Sequence, residues 1–140
     1  MQMRLPKMWR EIPQRYRLEG TVCRSCNFSF YPPRTVCPNC GSRELNLQKF
    51  SQRGKVLSYT VIRKPPSDFQ NCEPYPVALI ELLEGIKVIC QLTDCDVDEI
   101  FIGMPVEAVI RKVKEDGEDG VVHYALKFRP LTKNENLSKK

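Results

Sequence analysis

The sequence predicts a mainly β protein: an N-terminal helix, a small metal-bound ribbon, then a five-stranded barrel. Two observations carry that prediction. Four cysteines fall in two matched pairs, Cys23-Arg24-Ser25-Cys26 and Cys37-Pro38-Asn39-Cys40. After Gly54 the chain breaks into short apolar runs separated by turn-forming residues.

The helix comes first. Met8, Ile12 and Tyr16 recur at four-residue spacing, with Trp9 beside them. That spacing predicts an amphipathic helix of about two or three turns. Pro13 should kink or split it, because its ring lacks an N–H and crowds the preceding turn. Trp9 is the only tryptophan. A docked core contact is the simpler reading of it, and an anchor for a partner protein is the other.

The ribbon follows. A C-x₂-C pair puts two thiolates on one tight turn, within reach of one metal ion. Ten residues separate the pairs, enough for a short hairpin that brings the second turn opposite the first. Cys23, Cys26, Cys37 and Cys40 then form a tetrahedron of sulfurs suited to structural Zn²⁺, as in a rubredoxin-like zinc ribbon. Gly41 tolerates the positive φ that a sharp turn after the second knuckle needs. Two disulfides, or rubredoxin-type iron in the same cage, are the alternatives. Four thiolates leave a zinc no open position, so this centre holds a fold together and does no chemistry. A ribbon of this size lacks a real core, so metal binding must supply folding free energy on the order of 10 kcal/mol. Loss of Cys37 is therefore expected to disorder residues 18–47 while the barrel persists.

In the barrel, strands are expected at Val56–Ile62, Val77–Leu83, Ile86–Leu92, Val106–Val113 and Val121–Phe128, with a tight turn at Glu84-Gly85. Asp96 to Phe101 reads as one helical turn, N-capped by Asp96 with Glu99 three residues on and ended by Gly103. Five short strands with a helical turn between the third and fourth match the order of an OB barrel, with an SH3-like barrel as nearest competitor. The expected divisions are 1–17 (helical segment), 18–48 (zinc ribbon), 49–131 (OB-fold) and 132–140 (disordered tail).

Composition narrows the function. The 140 residues are 41% hydrophobic and 28% charged, a globular balance. No apolar run reaches the length of a membrane span, and Met1 to Arg10 lacks a signal-peptide core, so a cytoplasmic protein is expected. Seven cysteines, an odd number, agree with a reducing compartment. Of the cysteines outside the ribbon, Cys90 lies in an apolar run and reads as core rather than reactive. The net charge of +5 is uneven: residues 1–64 carry 13 Lys/Arg against 3 Asp/Glu, and residues 65–140 carry 9 against 14. A basic half attracts an anion: nucleic acid, a phosphorylated cofactor or an acidic protein face.

No catalytic constellation emerges. His123 is the only histidine. Alternation puts Val122, Tyr124, Leu126 and Phe128 on one face of the last strand and His123 on the other, where it is expected exposed or half-buried. Asp94, Asp96 and Asp98 resemble the start of a calcium loop, but Glu99 and Pro105 stand where that loop needs Gly and Glu. No GxGxxG, P-loop or GxSxG occurs. The chain is expected not to be an enzyme.

The order of motifs resembles one family more specifically. The stretches are Pro32-Pro33-Arg34 before Cys37-Pro38-Asn39-Cys40-Gly41, Gly54-Lys55-Val56-Leu57-Ser58-Tyr59-Thr60-Val61, Pro74-Tyr75-Pro76-Val77-Ala78-Leu79-Ile80, Ile102-Gly103-Met104-Pro105-Val106-Glu107 and Phe128-Arg129-Pro130. They resemble the acyl-CoA-associated zinc-ribbon/OB-fold family, domain of unknown function thirty-five, of the archaeal thiolase-associated type. All four metal-ligand positions match. The resemblance implies a non-catalytic, acyl-CoA-binding scaffold associated with a thiolase-fold enzyme. It also implies a bridge from an acetoacetyl-CoA thiolase to a hydroxymethylglutaryl-CoA synthase.

Residues suited to that role sit at the ribbon–barrel junction. CoA carries a 3′-phosphate and a pyrophosphate, and Arg53, Lys55, Arg63 and Lys64 cluster there in sequence. On an unbroken strand Arg53, Lys55 and Arg63 share one side. Phe69, in the following proline-stiffened loop, is positioned in sequence to cover adenine or pantetheine. Ordinary solvated charge is the bland alternative. The competing function is single-stranded nucleic-acid binding, which ribbons and OB barrels both serve. Against it, the barrel half is net acidic and its strand aromatics are few.

Overall fold

The computed structural model describes residues 5–66, 74–115, 117–118 and 120–131. The expected C-terminal tail, and Phe69 and Cys72 in the loop after Lys64, lie outside the described residues. Pro13 does split the N-terminal helix. Helix α1 spans Leu5–Arg10 and α2 spans Ile12–Arg17, with Pro13 in the first turn of α2, where its missing N–H costs nothing. Leu18 ends α2 in the left-handed region, φ 51°, and is fully buried.

The ribbon is a three-stranded antiparallel sheet in the order β2-β1-β3: β1 is Glu19–Cys23, β2 Ser29–Phe30 and β3 Leu45–Lys49. Strand β3 is an addition to the sequence reading. Its alternation is short and four of its five residues are exposed, so it left almost no hydrophobic signal.

The barrel strands are β4 (Arg53–Ile62), β5 (Tyr75–Leu82), β6 (Lys87–Gln91), β7 (Pro105–Glu115) and β8 (Val122–Pro130). They run β6-β5-β4-β7-β8, every neighbouring pair antiparallel. A parallel bridge between Leu92 and Phe128 closes β6 onto β8 at one end, where Thr93 N–H donates to Phe128 O at 2.8 Å. That order and closure are those of an OB barrel. The helical turn is a 3₁₀ turn, Val97–Glu99, with Asp96 at its N-cap position but without the expected side-chain cap bond.

One core runs through ribbon and barrel. Val56, Ile80, Val106 and Phe128 from the barrel pack in one cluster with Leu18 and Phe50, and Val22 and Tyr31 of the ribbon lie against it. The cysteines form a second, smaller cluster with Phe30.

Two expectations are corrected. Trp9 is not a core residue: it is 73% exposed. His123 is not exposed: it is buried, whereas Tyr124 is 51% exposed. Alternation identifies which residues share a face but not which face is covered. Lys127, two positions beyond Ala125 on the His123 face, is buried too.

Candidate functional site

The two cysteine knuckles are built alike. In the first, Asn27 N–H donates to Cys23 O and Cys23 N–H to Phe28 O, both at 3.0 Å. In the second, Gly41 N–H donates to Cys37 O at 3.0 Å and Cys37 N–H to Ser42 O at 2.9 Å. Each turn ends on a left-handed residue, Asn27 at φ 55° and Gly41 at φ 73°. Glycine met that need as expected. Asparagine, the non-glycine residue that tolerates it best, meets it at the first knuckle and was the overlooked signal.

The turns bring all four Sγ atoms within 4.8 Å of one another. Cys23 Sγ lies 3.5 Å from Cys40 Sγ, and Cys26 Sγ 3.7 Å from Cys37 Sγ. A tetrahedral zinc with bonds of about 2.3 Å spaces its sulfurs about 3.8 Å apart, so the donor set fits. The protonation of three of the thiols points the same way. Burial pushes the Cys23 thiol up, but hydrogen bonds from Cys26 and Ser25 N–H and from neighbouring cysteines outweigh it and bring it down to about 6. Asn39 and Phe28 N–H hold Cys26 below the usual thiol range. Cys40 has help from Ser42 N–H, yet its cysteine neighbours push it up to about 12. Without a cation neighbouring thiolates compete for charge, and a dication removes the conflict. Cys23 and Cys37 are buried, Cys26 is half-buried and Cys40 is exposed. The site is a closed structural Zn²⁺ centre.

The junction charges are arranged differently from the simple strand picture. The register of β4 against β5 slips between Val56 and Ser58. This bulge reverses the alternation. Arg53 and Lys55 therefore share the outer face with Ser58, Thr60 and Ile62, and parity no longer ties them to Arg63. Lys55 Nζ lies 3.1 Å from Glu81. Arg53 stands opposite Glu107, whose carboxylate is held by Arg129 at 2.6 Å. Arg63 and Lys64 are exposed in the bend after β4.

Beyond these charges the outer face of β4, β5 and β6 mixes aliphatic and polar side chains. Register aligns Ser58, Leu79 and Ile89 in one row, Thr60, Val77 and Gln91 in the next, and Ile62 beside Tyr75. Away from the Leu92–Phe128 bridge, β6 and β8 leave a groove of about 190 Å³ under α2, bordered by Tyr16 and Tyr31. Cys90 lies in it, half-buried, and burial pushes its thiol up to about 11, which makes it an unreactive core-like thiol.

Comparison with known proteins agrees with this architecture. Residues 10–46 match the family model for the ChsH2 rubredoxin-like zinc ribbon domain, and residues 47–111 that for the ChsH2 C-terminal OB-fold domain. Fold and site together define a zinc-ribbon/OB-fold protein. The chain belongs to the DUF35 family of such proteins. It is 49% identical to the DUF35 domain-containing scaffold protein of Methanothermobacter thermautotrophicus, over 90% of this chain and 96% of that one. The scaffold protein of Pyrococcus furiosus is 46% identical, over 95% and 97%. The benzoylsuccinyl-CoA thiolase subunit BbsA of Thauera aromatica is 29% identical, over 81% and 76%. Among solved structures, the Ltp2-ChsH2(DUF35) aldolase superposes with a TM-score of 0.70 at 32% identity, over 93% of this chain and 96% of that one. Relatives are thus named both as scaffold proteins and as subunits of CoA-thioester enzymes. No helix among the described residues is long and apolar enough to cross a membrane.

Proposed function

We propose that this protein is a non-catalytic, acyl-CoA-binding scaffold that associates with a thiolase-fold enzyme, in an assembly of the acetoacetyl-CoA thiolase and hydroxymethylglutaryl-CoA synthase type. The observation that carries the reading is a coordinatively closed zinc ribbon joined to an OB barrel in a chain 49% identical to a named scaffold protein. The thiolase subunit among its relatives supports the choice of partner.

CoA phosphates are assigned to Arg53, Lys55, Arg63 and Lys64, with Phe69 over the adenine or pantetheine. Glu81 and Glu107 offset the charge of Lys55 and Arg53, so the exposed Arg63 and Lys64 carry most of the expected attraction. The rows on the outer face of β4, β5 and β6 hold aliphatic and small polar side chains and one aromatic, Tyr75, which supports protein contact over base stacking, because single-strand binders present platforms of several aromatics there.

Affinity purification of the tagged full-length protein from its native cells tests the association. A thiolase-fold enzyme should co-purify in stoichiometric amount, and recovery without any CoA-dependent enzyme overturns the reading. Calorimetry of the recovered complex should detect acetyl-CoA, weakened several-fold by Arg63→Glu with Lys64→Glu. Sub-micromolar oligonucleotide binding at physiological salt with no CoA response would favour nucleic acid instead.

A further inference from the structure

We propose that the groove between α2, β6 and β8 seats one large apolar side chain of the enzyme partner, presented on an acidic surface. The proposal rests on the scaffold reading above and names the surface chemistry that reading leaves open. The groove, about 190 Å³, suits one side chain rather than a drug- or cofactor-sized ligand, whose sites begin at about 300 Å³. Val88, Cys90 and Leu126 give it an apolar lining. Its polar groups are already engaged within the chain. Tyr16 OH donates to Tyr124 O at 3.2 Å, Tyr31 OH donates to Gln14 O at 3.0 Å, and Arg15 donates to Glu11 at 2.6 and 2.8 Å. An apolar occupant leaves none of them unsatisfied; a polar one finds few new partners.

The surroundings specify the rest. Ile89 on one rim is 74% exposed and Tyr124 on the other 51%; on the helical pair Trp9 and Ile12 are 73% and 40% exposed. Helix α2 buries no residue of its own. Its amphipathic stripe is thus only partly used within the chain, which leaves apolar surface for a partner to cover. Between residues 5 and 19 four cations, Lys7, Arg10, Arg15 and Arg17, outnumber two carboxylates, Glu11, which pairs with Lys7 and Arg15, and Glu19, which pairs with Arg17. A partner surface flanked by Asp and Glu is complementary to that excess.

Calorimetry of the full-length protein with the purified thiolase-fold enzyme that co-purifies with it tests this. Ile89→Glu and Arg10→Glu alter exposed side chains and should weaken binding at least tenfold each, with unchanged melting temperatures. Tyr124→Glu, on the opposite rim, should do the same. Leu47→Ser, an equally exposed site on the ribbon edge, should change affinity less than twofold. If the groove variants bind like wild type, or Leu47→Ser weakens binding equally, this inference is overturned while the scaffold reading stands. If wild type binds no thiolase-fold enzyme at all, the scaffold reading fails and takes this one with it.

Discussion

Cys37 shows how closely metal and packing are joined at the scale of single residues. Its sulfur is a ligand, and its side chain is one of three buried residues in the ribbon's small core. Cys37→Ser should therefore abolish zinc binding, read by elemental analysis, and release the β1–β2 hairpin. Gly20 marks the other tight spot. A Cβ there would stand 2.2 Å from Phe50 Cε2 and 2.6 Å from Phe30 O. One of those contacts is with backbone and cannot swing aside, so Gly20→Ala should cost about 1–3 kcal/mol, measured by denaturant unfolding. The ligands were legible because their chemistry demands fixed spacing. The need for glycine at position 20 was not, because it arises from Phe50, distant in sequence. The burial of His123 is illegible for a related reason: burial of a strand face depends on what packs over it.

At the scale of elements, the barrel strands were legible because each is a short apolar run ended by Gly, Pro or Asp. The sequence could not show where a run contains an extra residue. The slip between Val56 and Ser58, and a second between Lys112 and Lys114, each re-aim every side chain beyond them. Strand β3 escaped notice because it packs few side chains. The split at Pro13 was legible, and it yields two tests. Pro13→Ala removes the constraint between two six-residue helices and should raise helical circular dichroism as they fuse. Trp9 emission should be that of a solvated indole and shift to the blue when the partner binds. Trp9→Ala should leave the melting temperature nearly unchanged, since substitutions at exposed sites rarely exceed about 0.5 kcal/mol.

At the scale of the whole molecule, ribbon and barrel are distinct sheets that share a core. The sequence suggested a barrel that outlives its ribbon. However, Leu18 and Phe50, which bracket the ribbon in sequence, are buried among the barrel's own residues, and Tyr31 reaches in from beyond β2. Loss of zinc should lower the stability of both sheets together. Unfolding after chelation, followed by near-ultraviolet circular dichroism and by amide exchange in β5, should show reduced barrel protection as well as a melted ribbon.

The shared core also decides where the chain can be cut and rejoined. A hybrid that joins this ribbon to a relative's barrel at residue 48 or 49 would pair Leu18, Val22 and Tyr31 with a surface shaped for other side chains. The seam that permits exchange lies farther in, between the zinc cluster and those residues. A graft that replaces only the tips from Cys23 to Asn27 and from Cys37 to Gly41 should transfer metal preference without disturbing the barrel. One that moves the whole ribbon should succeed only when the residues facing Leu18 and Phe50 travel with it.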